Sequence, residues 1–231
     1  MNRHLIFTCE HGGNNVPKEY KLLFSKKQRI LDTHRGYDPG ALILAKALSK
    51  AFHAPLFYST TTRLLVDLNR SITNKSLYSE ITKNLSEADG DKLLNAYYYP
   101  YRSQVESFIK EQIDNKQAVL HLSIHTFTPL LGTIERKTDI GLLYDPKRQE
   151  EKTFCQQWRK EMSDDETTYR IRMNYPYKGN SDGLTTHLRS MYSENKYLGI
   201  ELEVNQKYPL SQRDSWQHLQ RIIIQGLKQA L

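Results

Sequence analysis

The sequence has no long apolar run, and this absence excludes one class of protein. A helix that crosses a membrane needs about 18 or more consecutive apolar residues, and no apolar stretch of the 231 residues comes near that length. The amino-terminal segment MNRHLIFTCEHGG contains an apolar stretch that is also too short for the core of a secretion signal. We therefore predict a protein without a membrane span that works in the cytoplasm.

Cysteine is scarce as well. Only Cys9 and Cys155 occur, so at most one disulfide is possible, and neither residue belongs to a C-x-x-C pair of the kind found in redox sites and zinc fingers. We expect both residues to be reduced thiols. A chain of 231 residues and 27.1 kDa buries enough apolar surface to fold without disulfides, and we predict one domain over residues 1–231.

Motifs of nucleic-acid recognition are missing too. The net charge of +7 and the pI of about 9.2 make acidic partners and anionic small substrates worth considering. A nucleic-acid-binding protein would add a docking motif, and the sequence contains no helix-turn-helix, KH, zinc-finger or RNP signature. We therefore expect a small anionic ligand and no nucleic acid.

Apolar runs and amphipathic stretches alternate along the chain. This pattern predicts an α/β fold with a mixed, largely parallel central sheet that is flanked by helices on both faces. Such sheets bind ligands where their strands end. The predicted strands are 4–8, 55–60, 64–68, 118–124, 139–144, 169–174 and 197–204, and the predicted helices are 39–53, with Asp38 as N-cap and Pro39 as first residue, 101–113, 150–162 and 211–231.

Metal-ligating residue types lie at the ends of these elements. Glu10 and His11 follow the first strand, Asp38 precedes a helix, and His125 follows the strand at 118–124. Two imidazoles and a carboxylate with an open fourth position form the usual catalytic zinc site. Each residue also has a structural interpretation, because His11 and His125 can satisfy backbone groups and Asp38 can cap its helix.

Two carboxylates lie on the last predicted strand. In the segment GIELEVN, Glu201 and Glu203 point to the same face because side chains alternate along a strand. A carboxylate at the carboxyl end of a strand can act as a general base toward water. The alternative interpretation is an edge strand whose carboxylates form ion pairs.

Several arginines are candidates for binding an anionic substrate, because a guanidinium makes a planar two-point contact with a carboxylate. Arg70 follows Asn69 at the end of an apolar segment, and Arg136 follows the loop after His125. Arg63 and Arg189 are weaker candidates. Solvent exposure without a ligand is the alternative for each of them.

The motifs, taken together, resemble the N-formylglutamate amidohydrolase family. Its pattern is similar to CEHGGNNVP, HRGYDPGA, VDLNRS, HTFTP, DIGLLYDP, NYPYKGNSDG and GIELEVN, which occur in this order between about residues 5 and 208. The resemblance implies a zinc-type amidohydrolase. It also implies a fold similar to that of zinc carboxypeptidases and zinc N-acetylmuramoyl-alanine amidases, with a mixed sheet flanked by helices.

The resemblance also implies roles for the metal-ligating residue types. His11 and His125 look like ligands of Zn²⁺ or another divalent metal. Asp38 resembles the acidic ligand at the start of a helix, and Glu10 competes with it for this role.

For the reaction itself, the resemblance implies that Glu203 is the base, with Glu201 as the alternative. Asn69 and Arg70 resemble the pair that receives the substrate's carboxylate in the carboxypeptidase relatives. Arg136 is a further candidate for substrate binding.

The predicted activity is hydrolysis of the amide of a small anionic N-acyl amino acid. N-formyl-L-glutamate, cleaved to formate and L-glutamate, is the leading candidate substrate. The segment 170–190 matches the family's pattern only loosely, so a zinc amidase for another amide substrate stays open. A non-catalytic protein of the same fold that binds an anionic metabolite or peptide is the other alternative.

Overall fold

The computed structural model describes residues 3–163, 169–211 and 213–231. Their strands are β1 (His4–Cys9), β2 (Leu56–Tyr58), β3 (Val119–Phe127), β4 (Leu130–Leu131), β5 (Ile134–Glu135), β6 (Ile140–Leu143), β7 (Ile171–Met173) and β8 (Tyr197–Asn205). Their α-helices are α1 (Gln28–Leu31), α2 (Ala41–Phe52), α3 (Glu87–Leu93), α4 (Tyr99–Asp114), α5 (Gln149–Met162), α6 (Leu184–Met191) and α7 (Arg213–Ala230). None of the described helices is both long and apolar enough to cross a membrane.

One six-stranded sheet organises the molecule, in the order β2-β1-β3-β8-β6-β7. The first four strands of this order run parallel, β6 runs antiparallel to β8, and β7 runs parallel to β6. The predicted α/β class with a mixed, largely parallel sheet is confirmed. Strands β4 and β5 form a separate hairpin.

Helices cover both faces of the sheet because the side chains of each central strand alternate between two apolar clusters. On β3, Leu120, Leu122 and Ile124 pack in the cluster that also contains buried residues of α2, α5 and α7. Val119 packs in the other cluster, with buried residues of α4 and α6. His121, Ser123 and His125 follow Val119 on that second face by the same alternation.

The segment 64–68 was predicted as a strand, and this prediction is wrong. The chain turns at these residues instead, and the Leu65 backbone N–H donates to the Thr62 carbonyl. Leu64, Leu65, Val66 and Leu68 are all buried in the α4-side cluster. A short apolar run reads the same in the sequence whether a strand or a turn buries it.

The start of α2 also differs from the prediction. Asp38 is not the N-cap, because the helix begins at Ala41 after Gly40, whose φ of 86° lies in the left-handed region. A Cβ at Gly40 would lie 2.4 Å from Cβ of Pro209, so only glycine fits there. The Asp38 side chain is thereby free to reach the end of β3.

Helix α6 was not predicted. Its Arg189, a candidate for binding an anionic substrate, lies in the interior of the protein. The Arg189 Nε–H group donates to both carboxylate oxygens of Glu151, at 3.0 and 3.1 Å, and its Nη1 donates to the Gly179 carbonyl at 2.6 Å. Glu151 also accepts the Gly199 backbone N–H at 3.0 Å. This pair therefore links α5 and α6 to β8.

We predict that Arg189→Met lowers the free energy of unfolding by about 3–5 kcal/mol, because the buried Glu151 carboxylate loses its hydrogen-bonded cation. Arg159→Met on the exposed side of α5 is the matched control, and we expect it to change stability by less than about 0.5 kcal/mol. Urea unfolding followed by circular dichroism measures both. Equal stability of the two variants would contradict the structural role of the pair.

Candidate active site

A cleft of about 290 Å³ opens where β1, β3 and β8 end. The carboxyl ends of these parallel strands meet at one edge, and the β3–β8 register sets His125 beside Glu203 and Ser123 beside Glu201. The cleft is lined by His11, His34, Asp38, Arg63, Asn69, Arg70, His125, Thr126, Phe127, Thr128, Tyr177, Lys178, Ser181, Asp182, Glu201 and Glu203.

Three of the predicted metal-ligating residues converge in this cleft. His11, Asp38 and His125 are buried, and each offers one ligand atom within 4.8 Å of the other two. Asp38 Oδ2 lies 2.9 Å from His125 Nδ1 and 3.4 Å from His11 Nδ1. Nδ1 of His11 is buried and makes no hydrogen bond. The arrangement therefore presents a carboxylate and two ring nitrogens to one point.

The outer nitrogen of His11 is held by a carboxylate that the sequence analysis did not identify. His11 Nε2 donates to Asp67 Oδ1 at 2.7 Å, and Arg63 Nη2 donates to the other oxygen of Asp67 at 2.7 Å. Burial opposes ionisation, but the Arg63 guanidinium keeps the pKa of Asp67 well below its usual range. Because Asp67 only accepts, it selects the His11 tautomer whose free lone pair is on Nδ1.

Glu10 holds the outer nitrogen of His125 in the same way. His125 Nε2 lies 3.2 Å from Glu10 Oε2, which also accepts from the Ser123 hydroxyl at 2.8 Å. The Tyr101 hydroxyl donates to Glu10 Oε1 at 2.9 Å. Glu10 is 1% exposed and does not line the cleft. The structure thus places Asp38 in the cluster and Glu10 behind it.

Both carboxylates of β8 reach the cleft, but their surroundings differ. Glu201 Oε1 accepts from the Thr185 hydroxyl at 3.0 Å. Glu203 is 5% exposed, and its Oε2 has no hydrogen-bond partner. Burial raises the pKa of Glu203 to about 8. Repulsion from Asp38 and Glu201 adds to this rise, and attraction to His125 opposes it. The two carboxylates therefore differ, because Glu201 is held by a donor and Glu203 keeps a buried oxygen without one.

Asn69 and Arg70, the predicted substrate-binding pair, both line the cleft. Asn69 Nδ2 is 3.4 Å from His125 Nε2. Arg70 Nη1 donates to the backbone carbonyl of Asp182 at 2.7 Å. Among the described residues, no carboxylate forms an ion pair with Arg70, so its remaining N–H groups can receive an anion.

Arg136, in contrast, does not line the cleft. Its guanidinium stacks on the ring of Tyr177, 5.0 Å from the ring centroid, and Nη1 donates to the Tyr177 hydroxyl at 3.0 Å. Tyr177 itself lines the cleft. The structure thus separates Arg136 from Arg70 and puts it behind the wall that Tyr177 forms.

Asp67 and Tyr177 are two of the site residues that the sequence analysis missed. For Asp67 a signal existed, because a lone carboxylate in the apolar segment 64–68 must have a buried partner. For Tyr177 the only signal was its place in the motif NYPYKGNSDG, since nothing else in the sequence separates it from the rest of the chain's 15 tyrosines.

Comparison with known proteins shows the family of the chain. The family model described as N-formylglutamate amidohydrolase matches residues 3–208. The chain belongs to the N-formylglutamate amidohydrolase family. The resemblance stated from the motifs is confirmed, and with it the general amidohydrolase class of the protein.

Two solved structures share the fold. A gene product of Agrobacterium tumefaciens is 26% identical, with a TM-score of 0.80 over 98% of this chain and 91% of that chain. N-formylglutamate amidohydrolase from Ralstonia eutropha JMP134 is 16% identical, with a TM-score of 0.70 over 99% of this chain and 94% of that chain. No curated protein matches the chain.

We predict that Tyr101→Phe lowers the free energy of unfolding by about 1–3 kcal/mol, because the buried Glu10 carboxylate loses a hydroxyl donor. Tyr97→Phe is the matched control, since the Tyr97 hydroxyl donates to Glu19 at an exposed position, and we expect a change below about 0.5 kcal/mol. Thermal and urea unfolding measure both variants. A larger loss in Tyr97→Phe would be inconsistent with a supporting role for Glu10.

Proposed function

We propose that this protein is a zinc-dependent amidohydrolase that cleaves N-formyl-L-glutamate to formate and L-glutamate. One observation carries the proposal. The buried Nδ1 atom of His11 and the buried Oε2 atom of Glu203 both lack hydrogen-bond partners, and both belong to side chains that line the same cleft. Buried polar atoms without partners are rare in folded proteins, and a cation and a water molecule would satisfy these two.

The residues present fit a zinc ion. His11, Asp38 and His125 would hold it, because two imidazoles and one carboxylate are a usual ligand set of catalytic zinc. Asp67 and Glu10 would orient the two imidazoles, as carboxylates behind metal-bound histidines do. Glu10 is then a supporting residue, because three donors already occupy its oxygens.

When bound, zinc supplies a Lewis acid and brings the pKa of water to about 7. In its ionised form, which a cation bound beside it would favour, Glu203 accepts a proton from the attacking water as the water oxygen bonds to the formyl carbon. Glu203 then returns this proton to the nitrogen as the carbon–nitrogen bond breaks. The second water proton leaves the formic acid product and also passes to the amine. The products are therefore formate and the protonated amino group of glutamate, so atoms and charges balance. Glu201 precedes Glu203 on the same face of β8, lines the cleft and accepts from the Thr185 hydroxyl.

Asn69 and Arg70 bind a carboxylate of the substrate in this proposal. Arg70 supports this role because it faces the cleft as a cation without a carboxylate partner among the described residues. Arg136 contributes by holding Tyr177 in the wall through its hydrogen bond and its stacking contact. A cleft of about 290 Å³ has the size of a small-molecule site.

The decisive experiment measures zinc by elemental analysis in protein purified without chelator, together with formate released from N-formyl-L-glutamate. We expect about one zinc per chain and release of formate. Zinc without formate release would contradict N-formyl-L-glutamate as the substrate and would favour an amidohydrolase that acts on another amide. If the protein contains no zinc and shows no activity after zinc is added, the result would favour a non-catalytic protein that binds an anion.

We predict that His11→Ala and His125→Ala each lose bound zinc while the protein stays folded, because each removes one of three proposed ligands. His187→Ala is the matched control, since His187 is exposed and does not line the cleft. Elemental analysis and circular dichroism measure metal content and folding. Full zinc content in both cleft variants would refute the proposed ligand set.

We predict that Glu203→Gln keeps zinc and lowers kcat by about 10²–10⁴-fold, the range for loss of a general base. Glu201→Gln is the comparison, because it removes the other carboxylate of the same strand face, and we expect a much smaller change. Steady-state kinetics with metal analysis measures both. If Glu201→Gln has the larger effect, the base is Glu201.

A further inference from the structure

The turn that carries Asn69 and Arg70 is fixed by the segment before α6. Asp182 Oδ2 accepts the Ser71 backbone N–H at 3.0 Å and the Asn74 side-chain amide at 2.6 Å. The Asp182 carbonyl accepts from Arg70 Nη1 at 2.7 Å. The Leu184 backbone N–H donates to Asn69 Oδ1 at 2.8 Å. Residues 182–184 therefore contact both members of the proposed carboxylate-binding pair.

We propose that Asp182 is a positioning residue for substrate binding, which aims the Arg70 guanidinium at the carboxylate of the substrate. This inference rests on the proposed function of the cleft. Asp182 acts through Arg70, because its carboxylate binds the turn next to Arg70 and its carbonyl binds the guanidinium itself.

The direction of the Asp182 carboxylate makes this role possible. An acidic side chain that lines an anion-binding cleft would normally pair with the arginine and repel the substrate. Here both hydrogen bonds of the carboxylate go to Ser71 and Asn74, and only the carbonyl contacts Arg70. The guanidinium forms no hydrogen bond with the Asp182 carboxylate, and one of its N–H groups is fixed by the Asp182 carbonyl. An arginine held in this way loses less side-chain entropy when it binds a carboxylate.

Charge and positioning predict opposite results when Asp182 is replaced. If Asp182 acts only through its charge, its removal relieves repulsion and strengthens the binding of an anionic substrate. If it positions Arg70, its removal weakens binding. Asp182→Asn removes the charge but keeps an oxygen where Oδ2 accepts both hydrogen bonds, whereas Asp182→Ala removes both.

The test is a double-mutant cycle with Arg70→Ala on the zinc-loaded protein. KM for N-formyl-L-glutamate and, independently of turnover, Kd for L-glutamate by calorimetry are the readouts. We expect Asp182→Ala to raise both constants about tenfold with kcat changed less than threefold, and Asp182→Asn to recover most of this loss. In the Arg70→Ala background we expect Asp182→Ala to have no further effect.

The remaining outcomes overturn the inference in distinguishable ways. If Arg70→Ala weakens binding but Asp182→Ala does not, or strengthens it, Asp182 has no positioning role. Additive effects in the cycle would mean that Asp182 does not act through Arg70. If Asp182→Ala lowers both kcat and thermal stability, and Asp182→Asn recovers neither, Asp182 is a purely structural residue. Arg70→Ala without effect on either constant would refute the proposed binding pair, and the inference with it.

Discussion

The parallel pairing of β3 with β8 is the constraint on which the site depends. Its register sets His125 beside Glu203, so the imidazole that we propose as a metal ligand and a carboxylate with an unpaired buried oxygen occupy neighbouring strands at one edge. A shift of one residue would turn the polar face of either strand into the opposite apolar cluster. The buried residues Leu120, Leu122 and Ile124 on the other face of β3 oppose such a shift. The apolar packing of the fold thereby determines the geometry of the polar site.

The burial of charged side chains is the main free-energy cost of this arrangement, and specific hydrogen-bond donors offset it. Glu10 accepts from Tyr101 and Ser123, and Asp67 accepts from Arg63 and His11. Burial without such partners would raise the free energy of these carboxylates by several kcal/mol. Glu203 stands apart, because its Oε2 atom has no donor. Atoms left unsatisfied in an otherwise paired cluster are the natural place for chemistry.

Much of this could be predicted from the sequence, for reasons that also explain the failures. The alternation of apolar runs indicated the sheet, and strand ends indicated His11, His125 and Glu203 because parallel strands end at one edge. Asp38 was expected to cap α2, since a carboxylate before Pro39 serves equally as cap or ligand in a sequence pattern. Only the backbone at Gly40, with its φ of 86°, separates these two uses.

Other features depended on contacts between distant segments. The sequence could not decide between Asp38 and Glu10 as the acidic metal ligand. Glu10 adjoins His11 in the chain, which makes it as reasonable a candidate as Asp38. The Glu10 side chain instead reaches Tyr101 of α4 and Ser123 of β3, which lie 91 and 113 residues away. Helix α6 and its contacts with the Asn69–Arg70 turn were invisible for the same reason, since the residues involved are more than 100 positions apart.

Asp67 connects His11 to the turn that carries Asn69 and Arg70. Its Oδ1 accepts both from His11 Nε2, at 2.7 Å, and from the Asn69 backbone N–H, at 3.0 Å. Arg63 bonds the other oxygen of Asp67 and lies 3.5 Å from Asp38 Oδ1. One carboxylate therefore relates the proposed metal ligand His11 to the turn that presents Arg70. A displacement of that turn would therefore also move the acceptor of His11 Nε2, so the proposed carboxylate-binding pair and the proposed metal ligand share one positioning contact.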